Sequence, residues 1–378
     1  MDYEALRFIW WVLIGVLLVG FVIADGFDMG VAALLKVVGR NNDERRVMIN
    51  AIAPHWDGNQ VWLVTAGGAL FAAWPTVYAA SFSGFYLAMM LTLFALFLRP
   101  LAFEYRSKID SEQWRSRWDW ALTAGSAIPA LIFGVAFGNL LQGVPFHFDE
   151  LLRLSYTGSF WALLNPFALL AGVLSLLMIV NHGATYLQLK TEGEILARSE
   201  AISSLLGLAC AVLFVLAGLW LWLGVDGFRV LSVIDTNGIN RTVDKSVEIA
   251  SGAWFDNYAS WPLLWLVPLL GVLGFVASAL ASRLRRHALA FASSAMAMAM
   301  VVITAGISMF PFVMPSSSVP NHSLTMWDAT ASETTLMIMF VVACIFVPLV
   351  LAYTAWGYYV MRGRLNEQQI RDNTHSMY

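Results

Sequence analysis

The sequence predicts an all-α polytopic membrane protein with about nine transmembrane helices. Hydrophobic residues make up 59% of the 378-residue chain and charged residues only 12%, and the mean hydropathy is +0.69. This composition is too apolar for a soluble protein of this size. The apolar runs are long and continuous, which also excludes a transmembrane β-barrel built from short alternating strands.

Nine apolar runs are long enough to cross a hydrocarbon core, which takes about 20 residues. The predicted spans are 8–33, 48–73, 79–104, 119–142, 161–186, 202–224, 261–282, 287–312 and 334–360. We predict a single integral-membrane domain over residues 1–378. An external loop at about 225–260 should pack as a cap over helix ends, the loop 313–333 should be ordered, and a polar tail at about 362–378 should be loosely held.

The Lys and Arg residues predict the orientation of these spans. Of the 22 cations, 17 fall on one face of the predicted topology and 5 on the other. The positive-inside rule places the larger set in the cytoplasm, with the amino terminus outside and the carboxy terminus inside. The net charge of -3 argues against nucleic acid as a partner. The larger set is Lys36, Arg40, Arg45, Arg46, Arg99, Arg106, Lys108, Arg115, Arg117, Lys190, Arg198, Arg283, Arg285, Arg286, Arg362, Arg364 and Arg371.

A polar stretch at 54–62 interrupts the second span and is the strongest functional signal. His55 and Asn59 are four residues apart and share one helix face, while Asp57 and Gln60 share another. An ionisable side chain at membrane depth costs about 2.5–3.5 kcal/mol on insertion scales, so it usually has a polar partner, a water path or a function. We favour a hydrated proton or ion route over a purely structural network.

Other acids lie near the ends of the first and third spans. Asp25 and Asp28 share a helix face, and either burial with a function or contact with head groups explains Asp25 equally well. For Asp28 the structural explanation is favoured. The spacing around Glu104 alone favours a solvated boundary residue or a partner of Arg99 or Arg106.

The histidines do not form the spaced ligand set that a multi-haem subunit needs. Only His55 and His182 approach bilayer depth, at the inner ends of spans two and five. Two glycine pairs should permit close helix packing, Gly134 with Gly138 and Gly67 with Gly68. The residues by themselves leave open a proton-coupled transporter and a non-redox subunit of a respiratory complex. A transporter should contain repeats that relate the two halves of its sequence. No clear repeat of this kind is visible, which weighs against the transporter.

Several long and compositionally unusual strings resemble subunit II of the cytochrome bd quinol oxidases. The resemblance covers essentially the whole chain, from the first helix to the tail at 373–375. The matching strings lie at 25–30 (DGFDMG), 50–62, 65–75 (TAGGALFAAWP), 134–143 (GVAFGNLLQG), 310–317 (FPFVMPSS) and 323–328 (SLTMWD).

The resemblance implies a bacterial inner-membrane subunit of nine helices, arranged as two four-helix bundles plus a peripheral helix. In that family a similarly folded subunit I carries two haems b and haem d, and a small single-helix accessory subunit can join. The complex oxidises quinol at the outer face and reduces oxygen to water, which generates a potential without pumping. Some members also hold a structurally bound quinone in subunit II.

The family also implies roles for particular residues. Subunit II supplies the cytoplasmic part of a proton route, and its motif acid falls on Asp57, with Trp62 as the motif tryptophan. A second acid falls on Glu104, where the best-known members carry aspartate. This resemblance changes the interpretation of Glu104 from a boundary residue to a proton relay. His55 and Asp25 are expected as further members of the route.

Overall fold

The computed structural model describes residues 1–372, and the predicted tail residues 373–378 lie outside the described part. Within residues 1–372, eight helices are long and apolar enough to span a membrane, or nine if one bent pair counts as a single span. The polytopic α-helical class is therefore confirmed. The helices are α1 Tyr3–Ala33, α2 Leu35–Val38, α3 Asn42–Ile52, α4 Trp56–Ala73, α5 Pro75–Gly84, α6 Tyr86–Tyr105, α7 Glu112–Gln142, α8 Pro166–Lys190, α9 Gly193–Gly224, α10 Asp256–Ser260, α11 Leu266–Arg283, α12 His287–Met309, α13 Glu333–Val360 and α14 Glu367–Asp372.

The predicted second span, 48–73, is not one continuous helix. The amphipathic helix α3 ends at Ile52 and α4 begins at Trp56, so the polar stretch starts in a break between two helices. Pro54 lies in this break, where its missing backbone N–H removes one bond from the helical ladder. The predicted start of this span was wrong because one face of α3 is apolar. Its apolar residues extend the hydrophobic run of α4 towards the amino terminus in the sequence.

The third span also begins later than the predicted residue 79. Pro75 opens the short helix α5, which is bent by 120° from α4, and the spanning helix α6 starts at Tyr86. Proline suits the first position of a helix because its fixed backbone angle is helical and no N–H is needed there. The chain therefore turns sharply between two spans, and this turn produces the bent pair.

Helix α1 lies centrally and contacts α4, α7, α8, α12 and α13. It approaches α8 so closely that a Cβ on Gly30 would lie 2.8 Å from the Cα of Gly183. Helices α8, α9, α11 and α12 also contact one another in sequence, whereas α13 is almost entirely exposed. The division into two four-helix bundles plus a peripheral helix stays a prediction.

One of the two predicted glycine contacts is present in the chain. A Cβ on Gly138 would lie 2.7 Å from the Cα of Ala168, and Gly134 approaches α8 in the same way, so close packing of α7 against α8 is confirmed. Gly67 and Gly68 meet nothing within 4 Å. They lie in open space on α4, so no helix within residues 1–372 packs on them, and their role in close helix packing stays a prediction.

Loops form an ordered cap at one end of the helices, which we call the cap end. It contains three two-stranded antiparallel sheets. Trp254 from the 225–260 loop donates its Nε1–H to the carbonyl of Leu141 at 2.8 Å. Lys245 and Asp328 form a buried ion pair of 2.8 Å that joins this loop to the 313–333 loop. The first loop therefore packs over helix ends and the second is ordered, while the external location of the 225–260 loop stays a prediction. The strand pairs are β1 Phe146–Phe148 with β2 Leu154–Tyr156, β3 Asp226–Val230 with β4 Val247–Ser251, and β5 Phe312–Met314 with β6 Leu324–Thr325.

The opposite end of the molecule, where α1 ends and α4 begins, carries most of the cations, and we call it the basic end. Part of the polar tail is bound there. The backbone N–H of Leu365 donates to the carbonyl of Lys190 at 2.7 Å, and α14 contacts α3. Residues 362–372 thus make backbone contacts with the helices, and the expectation of a loosely held tail stays a prediction.

Candidate functional site: buried charges at the basic end

A buried ion pair joins α1 to α6 near the basic end. Arg99 donates from Nη1 and Nη2 to the two carboxylate oxygens of Asp25, at 2.9 and 2.6 Å. Both side chains are buried, with exposed fractions of 1% and 0%. This two-bond geometry is the strongest that a guanidinium and a carboxylate can form. Asp25 therefore meets a protein cation and not lipid head groups.

A second carboxylate lies one helical turn further along α1 and is held without a cation of its own. Asn59 donates from Nδ2 to Oδ2 of Asp28 at 2.7 Å, and Tyr358 donates its hydroxyl to Oδ1 of Asn59 at 2.6 Å. Oδ1 of Asp28 is buried and has no hydrogen-bond partner within residues 1–372. The chain of contacts links α1, α4 and α13, and the tyrosine fixes which way the amide points.

The predicted residues His55 and Trp62 line the same region. The ring of His55 is buried and stacks on Tyr358, with 4.4 Å between centroids and 24° between planes. The indole of Trp62 packs on α1 at Gly20, where an added Cβ would collide with the ring. His55 and Asn59 are both buried, so the shared face that their spacing predicted is confirmed.

The two predicted relay acids lie on the outside of this cluster. Asp57 and Glu104 are both exposed in the single chain. The residues before them, Trp56 and Phe103, stack with centroids 5.1 Å apart and an interplanar angle of 14°. This stack places the two acids at the same level on α4 and α6. The guanidinium carbon of Arg99 lies 5.9 Å from the centroid of the Trp56 ring, so the indole that precedes Asp57 in the chain adjoins the buried pair.

Further ion pairs fasten the basic end. Asp119 on α7 is fully buried and accepts bonds from Arg106 at 2.5 Å and from Arg45 at 3.2 Å. Glu44 on α3 pairs with Arg198 at 2.8 Å. Burial opposes ionisation of Glu44, but its hydrogen bonds from Arg198 and from a backbone N–H lower its pKa overall. These pairs brace α3 against α6, α7 and α9.

His182 has a structural environment. One ring nitrogen, Nδ1, lies 2.7 Å from the hydroxyl of Ser294, and Nε2 lies 3.1 Å from the carbonyl of Ile23. Both nitrogens are thus hydrogen-bonded, and the ring stacks on Phe291 at 4.7 Å. Across residues 1–372, no group of three His, Cys, Asp or Glu side chains is arranged to hold a metal ion.

Sequence reasoning missed several members of the cluster. Asn59 was noted only for its face, and Tyr358 was not noted because it lies about 300 residues away in the chain. Arg99 was considered only as a cytoplasmic cation and a possible partner of Glu104, and Asp119 was not considered. A usable signal was present for Arg99, because an arginine among apolar residues requires a counter-charge.

A small apolar cavity of about 160 Å³ lies among α1, α7, α8, α9 and α12, towards the cap end. Its lining is aliphatic and aromatic, and includes Phe133, Phe167 and Phe214. Three hydroxyls lie in its wall: Ser175 and Thr304 donate to backbone carbonyls, and Ser308 lies 3.2 Å from the hydroxyl of Tyr258. The cavity is therefore predominantly apolar and suits an apolar chain.

The fold and these contacts define a class: a polytopic α-helical membrane protein that holds charged side chains at membrane depth by specific partners. The family model for cytochrome bd terminal oxidase subunit II matches residues 6–361. The chain belongs to this family.

Individual relatives agree with the family match. The chain is 56% identical to cytochrome bd-I ubiquinol oxidase subunit 2 of Escherichia coli strain K12 over 378 residues, which cover all of both chains. It is 58% identical over its full length to a probable cytochrome oxidase subunit 2 of Haemophilus influenzae. A Bacillus subtilis cytochrome bd ubiquinol oxidase subunit 2 is 32% identical over 97% of this chain and 98% of its own.

A solved structure supports the fold alone. A chain in the structure of bd oxidase from Geobacillus thermodenitrificans superposes with a TM-score of 0.67 at 16% identity. The match covers 94% of this chain and 99% of that chain. The arrangement of helices is therefore shared far beyond the level at which the sequences are alike.

Proposed function

We propose that this chain is the subunit of a cytochrome bd-type quinol:oxygen oxidoreductase that ligates no haem. It supports assembly of a haem-bearing subunit I and supplies a cytoplasmic proton path for the reduction of oxygen to water. Family membership and full-length similarity to ubiquinol oxidase subunits support this proposal. The protein would lie in a bacterial inner membrane, with the amino terminus periplasmic and the basic end in the cytoplasm.

An exposed apolar face is the proposed contact with subunit I. Helices α4, α6 and α13 each present large side chains that nothing in residues 1–372 covers, and Gly67 and Gly68 on α4 leave room for close approach. Asp57 and Glu104 lie on α4 and α6 and are exposed as well, so subunit I would cover them. Side chains more than half exposed on this face include Val61, Val64, Phe71, Phe94, Phe97 and Ile345.

The observation that carries the proton path is the shared level of the two exposed acids. Asp57 and Glu104 follow the stacked pair Trp56 and Phe103 on neighbouring helices, with the Asp25 ion pair behind. A carboxylate can take a proton from water and release it again, and two acids at one level offer successive sites. His55 and Trp62 would form the wall of this intake.

The cofactors are assigned to the partner. Two haems b and haem d would lie in subunit I, quinol oxidation would release protons outside, and oxygen reduction would take protons from the cytoplasm. This separation of charge generates a potential without pumping. A structurally bound quinone would fit the small cavity through its tail, because the cavity lining is almost entirely apolar. A single-helix accessory subunit is a further expected partner.

The proton path is tested with Asp57→Asn and Glu104→Gln in the purified complex. Oxygen consumption with a quinol donor should fall at least tenfold for each variant, while the haem absorption spectrum stays unchanged. Asp110→Asn and Glu112→Gln are matched controls, because both acids are exposed at the basic end outside the α4–α6 face. Normal turnover in both relay variants would overturn the path, and lost assembly would instead favour a scaffold role.

The rival function, a stand-alone transporter, makes a different spectroscopic prediction. A complex purified through this chain should show the far-red absorption band of haem d. A preparation without haem would contradict the oxidase assignment itself, whatever the relay variants do.

A further inference from the structure

One cation at the basic end has no acidic partner although it is held in place. Lys36 on α2 donates from Nζ to the hydroxyl oxygen of Ser116 at 2.8 Å, and Nζ lies 4.9 Å from the ring centroid of Trp120. No carboxylate in residues 1–372 lies within 4 Å of this ammonium. By contrast, Arg45 and Arg106 are neutralised by Asp119.

A second cation lies next to Ser116 on α7. Arg117 follows Ser116 on α7 and is exposed, and it forms none of the ion pairs found in the described residues. Positions 116 and 117 are four and three residues before Trp120, so all three side chains lie on one face of α7. We call Lys36, Ser116, Arg117 and Trp120 the α2–α7 patch.

The patch has the chemistry of a phosphate site at a membrane surface. An ammonium and a guanidinium both bind phosphate oxygens, and the guanidinium does so with two parallel bonds. Ser116 accepts from Lys36, which leaves its own O–H able to donate to a further oxygen. Trp120 is 59% exposed and Val37 is 63% exposed, so apolar surface adjoins the cations. Tryptophan at this level is typical of the head-group region of a bilayer.

We propose that the α2–α7 patch binds the phosphate head group of an anionic phospholipid. Basic pockets between transmembrane helices on the cytoplasmic side bind such head groups. The patch lies on α2 and α7, whereas the proposed contact face for subunit I lies on α4, α6 and α13, so the lipid and the partner do not compete. This inference depends on no step of the proposed proton path.

The experiment measures lipid binding to the purified complex by native mass spectrometry, with phosphatidylglycerol and with phosphatidylcholine as probes. Lys36→Gln and Arg117→Gln should each weaken phosphatidylglycerol binding about fivefold, and the double variant about 30-fold. Phosphatidylcholine binding should not change. Arg283→Gln is the matched control, because Arg283 is exposed in the last turn of α11 at the same end of the molecule.

Three results would overturn the proposal: unchanged phosphatidylglycerol affinity in Arg117→Gln, equal binding of both lipids by the wild type, or an equal loss in Arg283→Gln. The last result would indicate general attraction to a basic surface. Arg117→Gln decides the question even if Lys36→Gln impairs assembly, because the Arg117 side chain is exposed. Quinol oxidase turnover of Arg117→Gln should stay normal, so failure here is distinguishable from failure of the proton path.

Discussion

Replacing Arg99 with methionine should strongly destabilise the protein, because it leaves the Asp25 carboxylate buried without its cation. Both side chains are at most 1% exposed, and the pair is held by bonds of 2.6 and 2.9 Å. Removing one partner of such a buried pair costs about 3–5 kcal/mol. Methionine keeps much of the volume of the arginine stem, so the loss of charge and not a cavity dominates.

The reverse variant and the double variant measure the pair itself. Asp25→Asn leaves an uncompensated guanidinium and should cost about the same 3–5 kcal/mol. The double variant leaves no charge at these two positions and only an under-satisfied amide, which costs about 1–3 kcal/mol. The two single losses add to about 6–10 kcal/mol, so the double variant should be far more stable than additivity requires.

Thermal inactivation of the purified complex in nanodiscs, at one heating rate, provides the assay. The rate is kept fixed because inactivation of a large membrane complex is governed by kinetics. The order of inactivation temperatures should be wild type, double variant, then the two single variants. Additive losses would refute the reasoning, because they would mean that Asp25 and Arg99 do not compensate each other in the folded protein.

Two further predictions concern ion pairs outside the membrane-spanning helices. The lowered pKa of Glu44 means that its pairing with Arg198 stabilises the fold above the ordinary glutamate value of 4.5 and is lost as pH falls through the lowered pKa. Glu44→Gln should therefore flatten the acid side of the stability–pH curve, which thermal scans between neutral and acid pH would show. At the cap end, burial raises the pKa of Asp328 and lowers that of Lys245, and their contact partly offsets both shifts. Asp328→Asn should loosen the 225–260 loop, seen as faster amide hydrogen exchange there, and unchanged exchange would contradict the buried pair.

The sequence was sufficient for the class of protein and for the location of the polar stretch. Long apolar runs can satisfy their backbone groups in lipid only as helices, so composition alone decides the secondary structure. Helical spacing likewise predicted that His55 and Asn59 share a face, and both are buried. Helix ends were less predictable, because the apolar face of α3 resembles a continuation of α4.

Charge partners could not be predicted from local sequence. Asp25 and Arg99 are 74 residues apart and Asn59 and Tyr358 are 299 apart, so only the packing of helices brings them together. Spacing predicted Arg99 or Arg106 as a partner of the neighbouring Glu104. In the structure Arg99 pairs with Asp25 on α1, and Arg106 pairs with Asp119 on α7.

By itself, the sequence determined that the chain crosses a membrane, which segments do so, and where acidic groups interrupt them. These properties depend on local composition and on the period of the helix. Only the tertiary structure decided which acids are buried and which face outward. Asp25 and Asp28 lie inside with fixed partners, while Asp57 and Glu104 lie on an exposed face. The physical reason is that an α-helix projects side chains all around its axis. Only the packing of neighbouring helices decides which of these side chains are buried.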